Sequence, residues 1–224
     1  MDRRELKAHV LGCLNLKDND AMESALQALS GRRVVGPLMG AFCHEKEEIR
    51  WSAVTGMGSV CEALFPKDPE GVRRVMRRLI WMLNDESGGI GWGCGEAMGE
   101  IMARIPIVAH EYHRILCSYM DPEGNFQENP LLQRGILWGL ARLAQSFPVL
   151  VQEMIPVLSF PLDSDDPEIL ASALMLARML KDPSHTRYVE KHLEDSRGLL
   201  FYWNGDFIPV KIGELAGQCC RDSG

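Results

Sequence analysis

The chain has 224 residues, a net charge of −7 at pH 7 and seven cysteines. The acidic balance argues against a role in binding duplex nucleic acid, because such proteins usually carry a basic overall charge or a concentrated basic patch. The odd number of cysteines and their scattered positions favour free thiols in a reducing compartment, so we expect a cytoplasmic protein.

Helical periodicity dominates the chain from its start. The charged segment 1–7 lacks the apolar stretch of a secretory signal, and no apolar run reaches the ~20 residues that span a bilayer. Proline and Asp-Pro pairs mark helix starts, because proline is tolerated in the first turn of a helix and poorly later. The predicted helices cover, in chain order, residues 3–16, 19–30, 33–43, 46–64, 69–84, 90–105, 107–120, 129–146, 148–160, 166–181 and 184–194.

After the first helix, the others form about five consecutive pairs over residues 16–195, and the C-terminal segment breaks this pattern. Residues 199–209 predict a β-hairpin around Asn204-Gly205, since this pair fits the type I′ turn, which needs positive φ at both positions. A last helix is predicted over 210–220, within a hairpin-and-helix segment 199–220. A lone hairpin is marginally stable, so we expect it to pack on the final helix pair of a single domain, residues 1–224.

A short pattern recurs along the chain: a small residue, three others, an aliphatic residue and a second small residue. It closes at Ser30, Gly58 and Gly99, and looser copies close at Ala141 and Ala177. Self-similarity at such spacings predicts stacked helix pairs rather than one globular core. We expect the two closing glycines to lie where neighbouring helices approach most closely.

Residues 47–58 read Glu-Glu-Ile-Arg-Trp-Ser-Ala-Val-Thr-Gly-Met-Gly, which resembles the first helix of a HEAT-like repeat of the PBS-lyase type. Residues 129–134 and 166–170 resemble the start of the same helix. The resemblance implies an all-α fold, a right-handed α-α superhelix of the HEAT-like or armadillo type with one small C-terminal β-hairpin. HEAT-like proteins include scaffolds, bilin-lyase subunits and alkyl-purine DNA glycosylases, so the resemblance is specific for architecture and not for function.

The predicted helix 69–84 is strongly amphipathic. One face carries aliphatic residues, and the other carries Arg73, Arg74, Arg77, Arg78 and Trp81. If this face lines the concave surface, it could hold an acidic peptide, a phosphate or a stacked base through ion pairs and cation–π contacts. The alternative is a solvated basic face whose tryptophan packs on a neighbouring repeat.

A second candidate set follows the edge of the buried face of the repeats. Trp51 and Trp92 hold the same repeat position, and Arg134 is the third copy. One turn further on, the corresponding residues are Thr55, Glu96 and Trp138. This stripe could bind a partner, or it could seal one repeat against the next.

Five glycines lie between residues 88 and 95, where the segment runs into a helix. Two interpretations stay open, namely tight packing on the backbone and an anion site at the helix start.

His110, His113 and Cys117 lie on the predicted polar side of helix 107–120, at helical spacing. Imidazole and thiolate are zinc ligands, but no fourth ligand stands at a recognisable spacing, and chance placement is the other interpretation.

These features favour a non-enzymatic scaffold or adaptor that holds a segment of another protein in a solenoid groove, with an acidic or phosphorylated stretch near the arginines. We expect no cofactor, no metal and no membrane. The alternative is an enzyme or enzyme subunit, lyase-like or acting on a nucleic-acid base, that uses the carboxylates of Glu86 and Glu96. A deep cleft that holds Trp92 and a carboxylate would favour the enzyme, and a broad shallow groove would favour the adaptor.

Overall fold

The computed structural model describes residues 2–29, 31–85 and 91–222. The part of the chain within these ranges folds into α-helices with one two-stranded antiparallel sheet. The helices are α1 Arg3–Leu14, α2 Asn19–Ala28, α3 Gly31–Ala41, α4 Glu47–Leu64, α5 Pro69–Leu83, α6 Cys94–Arg104, α7 Pro106–Ser118, α8 Pro130–Ser146, α9 Pro167–Leu180, α10 Thr186–Glu190 and α11 Ile212–Asp222. The strands are β1 Gly198–Trp203 and β2 Asp206–Lys211.

The helices stack in two layers. Layer A consists of α2, α4, α6, α8, α9 and α11, each packed on the next. Layer B contains α3, α5, α7 and a 3-10 helix over Pro148–Met154, and each of these packs against one or two helices of layer A. The buried side chains form one continuous apolar core between the layers. The prediction of a superhelix of stacked helix pairs with a small hairpin is confirmed.

Local sequence explains where several helices begin. Proline stands at the start of α5, α7, α8 and α9. The residue before it is Asp68, Asn129 or Asp166 in three of these helices, and its side chain accepts hydrogen bonds from backbone N–H groups of the first turn. These caps satisfy donors that a helix leaves unpaired at its N-terminus.

Two predicted helices are wrong. The segment 148–160 forms the 3-10 helix Pro148–Met154 followed by turns, because Pro156 lacks the N–H that an α-helix would need there. The segment 184–194 contains only a short 3-10 turn and the five-residue helix α10. The predicted helix 90–105 begins later than expected, at Cys94, since Gly93 adopts φ 73° and ends the preceding turn.

Layer A is closest-packed where glycines of α6 and α8 meet. A Cβ built on Gly99 would overlap the backbone of Gly139, and one built on Gly95 would lie 2.9 Å from the Ile136 nitrogen. Gly58 instead faces the side chains of Glu100 and Arg104. The paired glycines set α6 and α8 side by side and parallel, because Gly95 meets Gly135 and Ile136 while Gly99 meets Gly139 one turn further along both helices.

An ionic network ties together the middle of layer A. Arg104 contacts Glu23 at 2.7 Å and Glu100 at 2.6 Å, and Arg142 contacts Glu100 at 2.7 Å. Glu100 is buried, and its two arginine partners come from its own helix and from α8. The network joins α2, α6 and α8, so a buried carboxylate is fully compensated by charge.

The hairpin has the expected turn, with Asn204 at φ 51° and Gly205 at φ 88°. Its position differs from the prediction, because it contacts more than the final helices. Besides α9 and α11, it reaches α2, where the Asn19 side chain donates a hydrogen bond to the Gly205 carbonyl oxygen at 2.5 Å. The hairpin therefore lies across layer A from its C-terminal to its N-terminal end.

Candidate functional site

A cleft of about 670 Å³ opens beside the hairpin, at the N-terminal ends of α4, α6, α8 and α9. We call it the aromatic cleft. Its walls come from the end of α3, from α4, from the segment before α6 and α6 itself, from α8, from α9 and from β1. The residues used below are Glu47, Arg50, Trp51, Trp92, Glu96, Leu131, Arg134, Gly135, Trp138, Glu168, Leu200 and Tyr202.

One wall of the aromatic cleft is a cluster of rings. Trp51 stacks on Tyr202 with ring centroids 4.7 Å apart and planes inclined by 16°, and Trp138 lies 4.7 Å from Trp51 on a tilted plane. The Trp138 indole N–H donates a hydrogen bond of 2.7 Å to the Tyr202 carbonyl oxygen, and the hydroxyls of Tyr202 and Thr55 lie 2.8 Å apart. These contacts fix β1 to α4 and α8, so the wall is preformed.

The charged side chains of the aromatic cleft are mostly paired. Arg134 contacts Asp166 at 2.6 Å and Glu168 at 3.1 Å. Arg50 donates a hydrogen bond of 3.1 Å to the His44 carbonyl oxygen and lies 3.7 Å from the Glu47 carboxylate. Both cations therefore already have acceptors within the fold.

Glu96 is the exception among these charged groups. Within the ranges that the structure describes, no lysine, arginine or histidine lies within ion-pair distance of its carboxylate. Burial raises the pKa of Glu96 from its ordinary value of 4.5 to about 7, and a hydrogen bond from the Glu96 backbone N–H and the charge of Arg50 oppose this shift without cancelling it. A desolvated carboxyl that forms no salt bridge is costly to ionise, which is why its pKa moves upward.

The position of Glu96 depends on a glycine of the neighbouring helix. A Cβ built on Gly135 would overlap the Glu96 carboxyl group. Gly135 therefore leaves the space in which this carboxyl lies against the α8 backbone, and any larger residue there would displace it.

The rim of the aromatic cleft is apolar and exposed. The exposed fractions are 37% for Trp92, 47% for Leu131 and 67% for Leu200. They come from the segment before α6, from α8 and from β1, so three separate elements contribute to the rim. Large apolar side chains that surround a cleft are typical of surfaces that bind another molecule.

The arginines of the predicted helix 69–84 lie in α5, which belongs to layer B, and they do not line the aromatic cleft. Arg73 forms two hydrogen bonds with Glu111, of 2.7 and 2.6 Å, and Arg77 lies 3.4 Å from Glu70. Arg74 lies 3.6 Å from Asp68. Arg78 and Trp81 are exposed.

Other predicted features have different outcomes. Cys117 is buried, so it does not share the polar side of α7 with the exposed His110. Burial raises the pKa of the Cys117 thiol well above its ordinary value. The His113 ring nitrogen Nδ1 lies 3.0 Å from the Ala109 carbonyl oxygen. No group of three or more metal-ligating side chains occurs within the described ranges. Glu86 and residues 88–90 of the glycine-rich segment lie outside these ranges.

The sequence stripe and the aromatic cleft largely coincide. The structure places Trp51, Trp92, Glu96 and Trp138 together, although Trp138 is buried and serves mainly to hold β1. Sequence reasoning missed Tyr202 and Leu200 as parts of the same cleft. The aromatic run 201–203 was a signal that the hairpin buries rings, but its partners lie 64 to 147 residues away along the chain.

No protein-family model and no curated protein matches this chain. Solved structures match its fold. A designed armadillo repeat protein in complex with the peptide (KR)4 has a TM-score of 0.56 and 14% identity, over 98% of this chain and 100% of that chain. The fold is that of a HEAT-like or armadillo-type helical solenoid. An engineered protein matches with a TM-score of 0.56 and 11% identity, over 100% of this chain and 97% of the other.

A mutant of Kap121p matches with a TM-score of 0.58 and 14% identity. The match covers 99% of this chain and 25% of Kap121p, so the present chain corresponds to a quarter of that protein's length. At these identities the likeness shows the fold alone. None of the helices within the described ranges has the length and apolar composition needed to cross a membrane.

Proposed function

We propose that this protein is a non-enzymatic binding scaffold that holds a segment of another protein in the aromatic cleft. The observation that carries the proposal is the combination of a preformed cleft of about 670 Å³ with an exposed apolar rim. A site of this size is ready to receive one or two side chains, while Trp92, Leu131 and Leu200 offer contact area to the residues on either side. A designed protein of the same fold binds a peptide, which supports this use of the architecture.

The arginine face of α5 is a second contact surface in this proposal, for an acidic or phosphorylated stretch of the partner. Trp81 and Arg78 are exposed, as are Arg74 and Arg77. The carboxylates paired with Arg73, Arg74 and Arg77 would compete with such a ligand, so the arginine face ranks behind the aromatic cleft.

The test is a crosslinking experiment with matched positions. A photoreactive amino acid is placed at Leu200 on the rim or at Val149, an equally exposed aliphatic residue of the 3-10 helix in layer B, and each protein is irradiated in native cell lysate. We expect a defined crosslinked protein from position 200 only. The captured protein, once purified, should bind the Leu200→Ser variant at least about tenfold more weakly than the Val149→Ser variant, which corresponds to about 1.4 kcal/mol. Equal affinity of the two variants would refute the cleft as the docking site.

An enzyme is the second candidate, because one observation favours it. The cleft holds Trp92 and a carboxyl whose pKa is raised to about 7, in the range that suits a general acid or base at neutral pH. This combination meets part of the criterion stated above for a lyase-like activity or one acting on a nucleic-acid base. The discriminating measurement is mass spectrometry of a native small-molecule and nucleic-acid extract incubated with the parent protein or with Glu96→Gln. Catalytic consumption of one species by the parent alone would favour the enzyme over the scaffold.

A further inference from the structure

We propose that the aromatic cleft receives a basic side chain, lysine or arginine, from the bound protein segment, and that the Glu96 carboxylate pairs with it. This inference rests on the proposed function and adds the chemistry of the residue that enters. Its support comes from the charge pairing, the ring cluster and the rim of the cleft.

Among the described charged groups that line the aromatic cleft, Glu96 is the one that forms no salt bridge. Arg134 lies between the carboxylates of Asp166 and Glu168, and Arg50 lies between Glu47 and the His44 carbonyl oxygen. An incoming anion would therefore compete with the acceptors that these arginines already have. An incoming cation meets the Glu96 carboxylate, which forms no salt bridge within the described part of the fold and interacts with Arg50 only at longer range.

The walls suit the rest of a basic side chain. Trp92 is exposed at the opening and Trp51 is half-buried there, while Tyr202 is buried and stacks on Trp51 from within. Lysine and arginine bury their methylene stems along apolar surface and are attracted through the charged head to the faces of aromatic rings. A carboxylate behind such walls, partly removed from water, interacts more strongly with a cation than an exposed carboxylate would.

The exposed apolar rim favours a peptide segment over a small amine as the ligand that carries this cation. A small amine would fill the space beside Glu96 and leave Leu131 and Leu200 uncovered, whereas a peptide would cover them with its neighbouring side chains. The net charge of −7 also favours the approach of a basic segment over an acidic one.

The experiment uses the full chain and four fluorescent nonapeptide mixtures, each with a fixed central residue and randomised uncharged flanks. The central residue is lysine, arginine, glutamine or glutamate, and binding is measured by fluorescence anisotropy at 150 mM salt. Proteins tested are the parent, Glu96→Gln, Leu200→Ser and the control Glu48→Gln, which removes a charge from an exposed position of α4 outside the cleft. Circular dichroism of each variant checks that the fold is retained.

We expect the lysine or arginine mixture to bind at least about tenfold more tightly than the glutamine mixture. Glu96→Gln should abolish this preference and Glu48→Gln should keep it. Equal binding of all four mixtures, weakened throughout by Leu200→Ser, would overturn the rule of a basic side chain and leave the docking surface in place. Absence of binding by every mixture would overturn both. Free argininamide or butylamine that binds as tightly as the peptides would overturn the assignment to a protein segment.

Discussion

The desolvated carboxyl of Glu96 makes the stability of the protein depend on pH in a predictable way. Its pKa is about 7 in the folded state because of burial, against an ordinary value of 4.5. Between these two values the folded state binds more protons than the unfolded chain, so the free energy of unfolding falls as pH rises through this window. The penalty is complete above pH 7 and amounts to about 3 kcal/mol, at 1.36 kcal/mol for each unit of pKa difference.

The substitution Glu96→Gln removes this penalty and keeps the size of the side chain. The variant should therefore be more stable than the parent by up to about 3 kcal/mol at pH 8, and by less than about 1 kcal/mol at pH 5. Urea unfolding followed by circular dichroism at both pH values measures the difference, with Glu48→Gln as the control for loss of one surface charge. A stability difference that is the same at pH 5 and pH 8 would show that Glu96 is ionised normally, and would refute the reasoning about its burial.

Three further predictions test the rest of the structure. Gly99→Ala should destabilise the protein by about 1–3 kcal/mol in urea unfolding, because its Cβ meets the backbone of Gly139, while Gly12→Ala on open surface should be neutral or stabilising by up to about 1 kcal/mol. Trp138→Phe removes the donor to the Tyr202 carbonyl oxygen, so hydrogen exchange should accelerate over 198–211 with little change in the helices; unaltered protection there would contradict this role. Changing the four α5 arginines to glutamine should weaken binding of the crosslinked partner without unfolding the protein, and unchanged affinity would remove the arginine face as a site; the residues are Arg73, Arg74, Arg77 and Arg78.

Hydrophobic periodicity and proline positions were sufficient to predict most of the helices, because both depend on residues close together in the chain. Helix α5 illustrates this, since an Asp-Pro start and a strong apolar face left little alternative. The prediction of an α-helix over 148–160 was wrong because it relied on the helical spacing of the apolar residues, whereas Pro156 removes a backbone hydrogen bond that an α-helix would need. The prediction that Cys117 lies on the polar side of its helix was wrong because a helical wheel assumes one buried face. In the structure α7 is covered by both α6 and the 3-10 helix, and Cys117 is buried.

The candidate site was predictable only in part. Equivalent repeat positions placed Trp51, Trp92 and Glu96 on one stripe, since parallel helices in a stack align equivalent residues. The hairpin that completes the cleft was recognisable as a hairpin, but its resting place depends on contacts such as Tyr202 with Thr55, 147 residues apart. Local patterns carry no information on such pairings, so neither the cleft nor the unusual environment of Glu96 could be derived from them.

The hairpin also sets a limit on how this architecture can vary. An open array of repeats can lengthen by duplication of a unit, because each repeat contacts only its neighbours and the two ends of the array do not touch. Here the Asn19 side chain donates a hydrogen bond to the Gly205 carbonyl oxygen, so the hairpin connects α2 near the N-terminal end of layer A to α9 and α11 at its C-terminal end. The two strands have six residues each, so the hairpin spans a fixed distance. An inserted helix pair would move the turn away from α2. Only an array whose ends lie one hairpin length apart can keep this contact, so a change in the number of repeats would have to be matched by a change in the length of the strands.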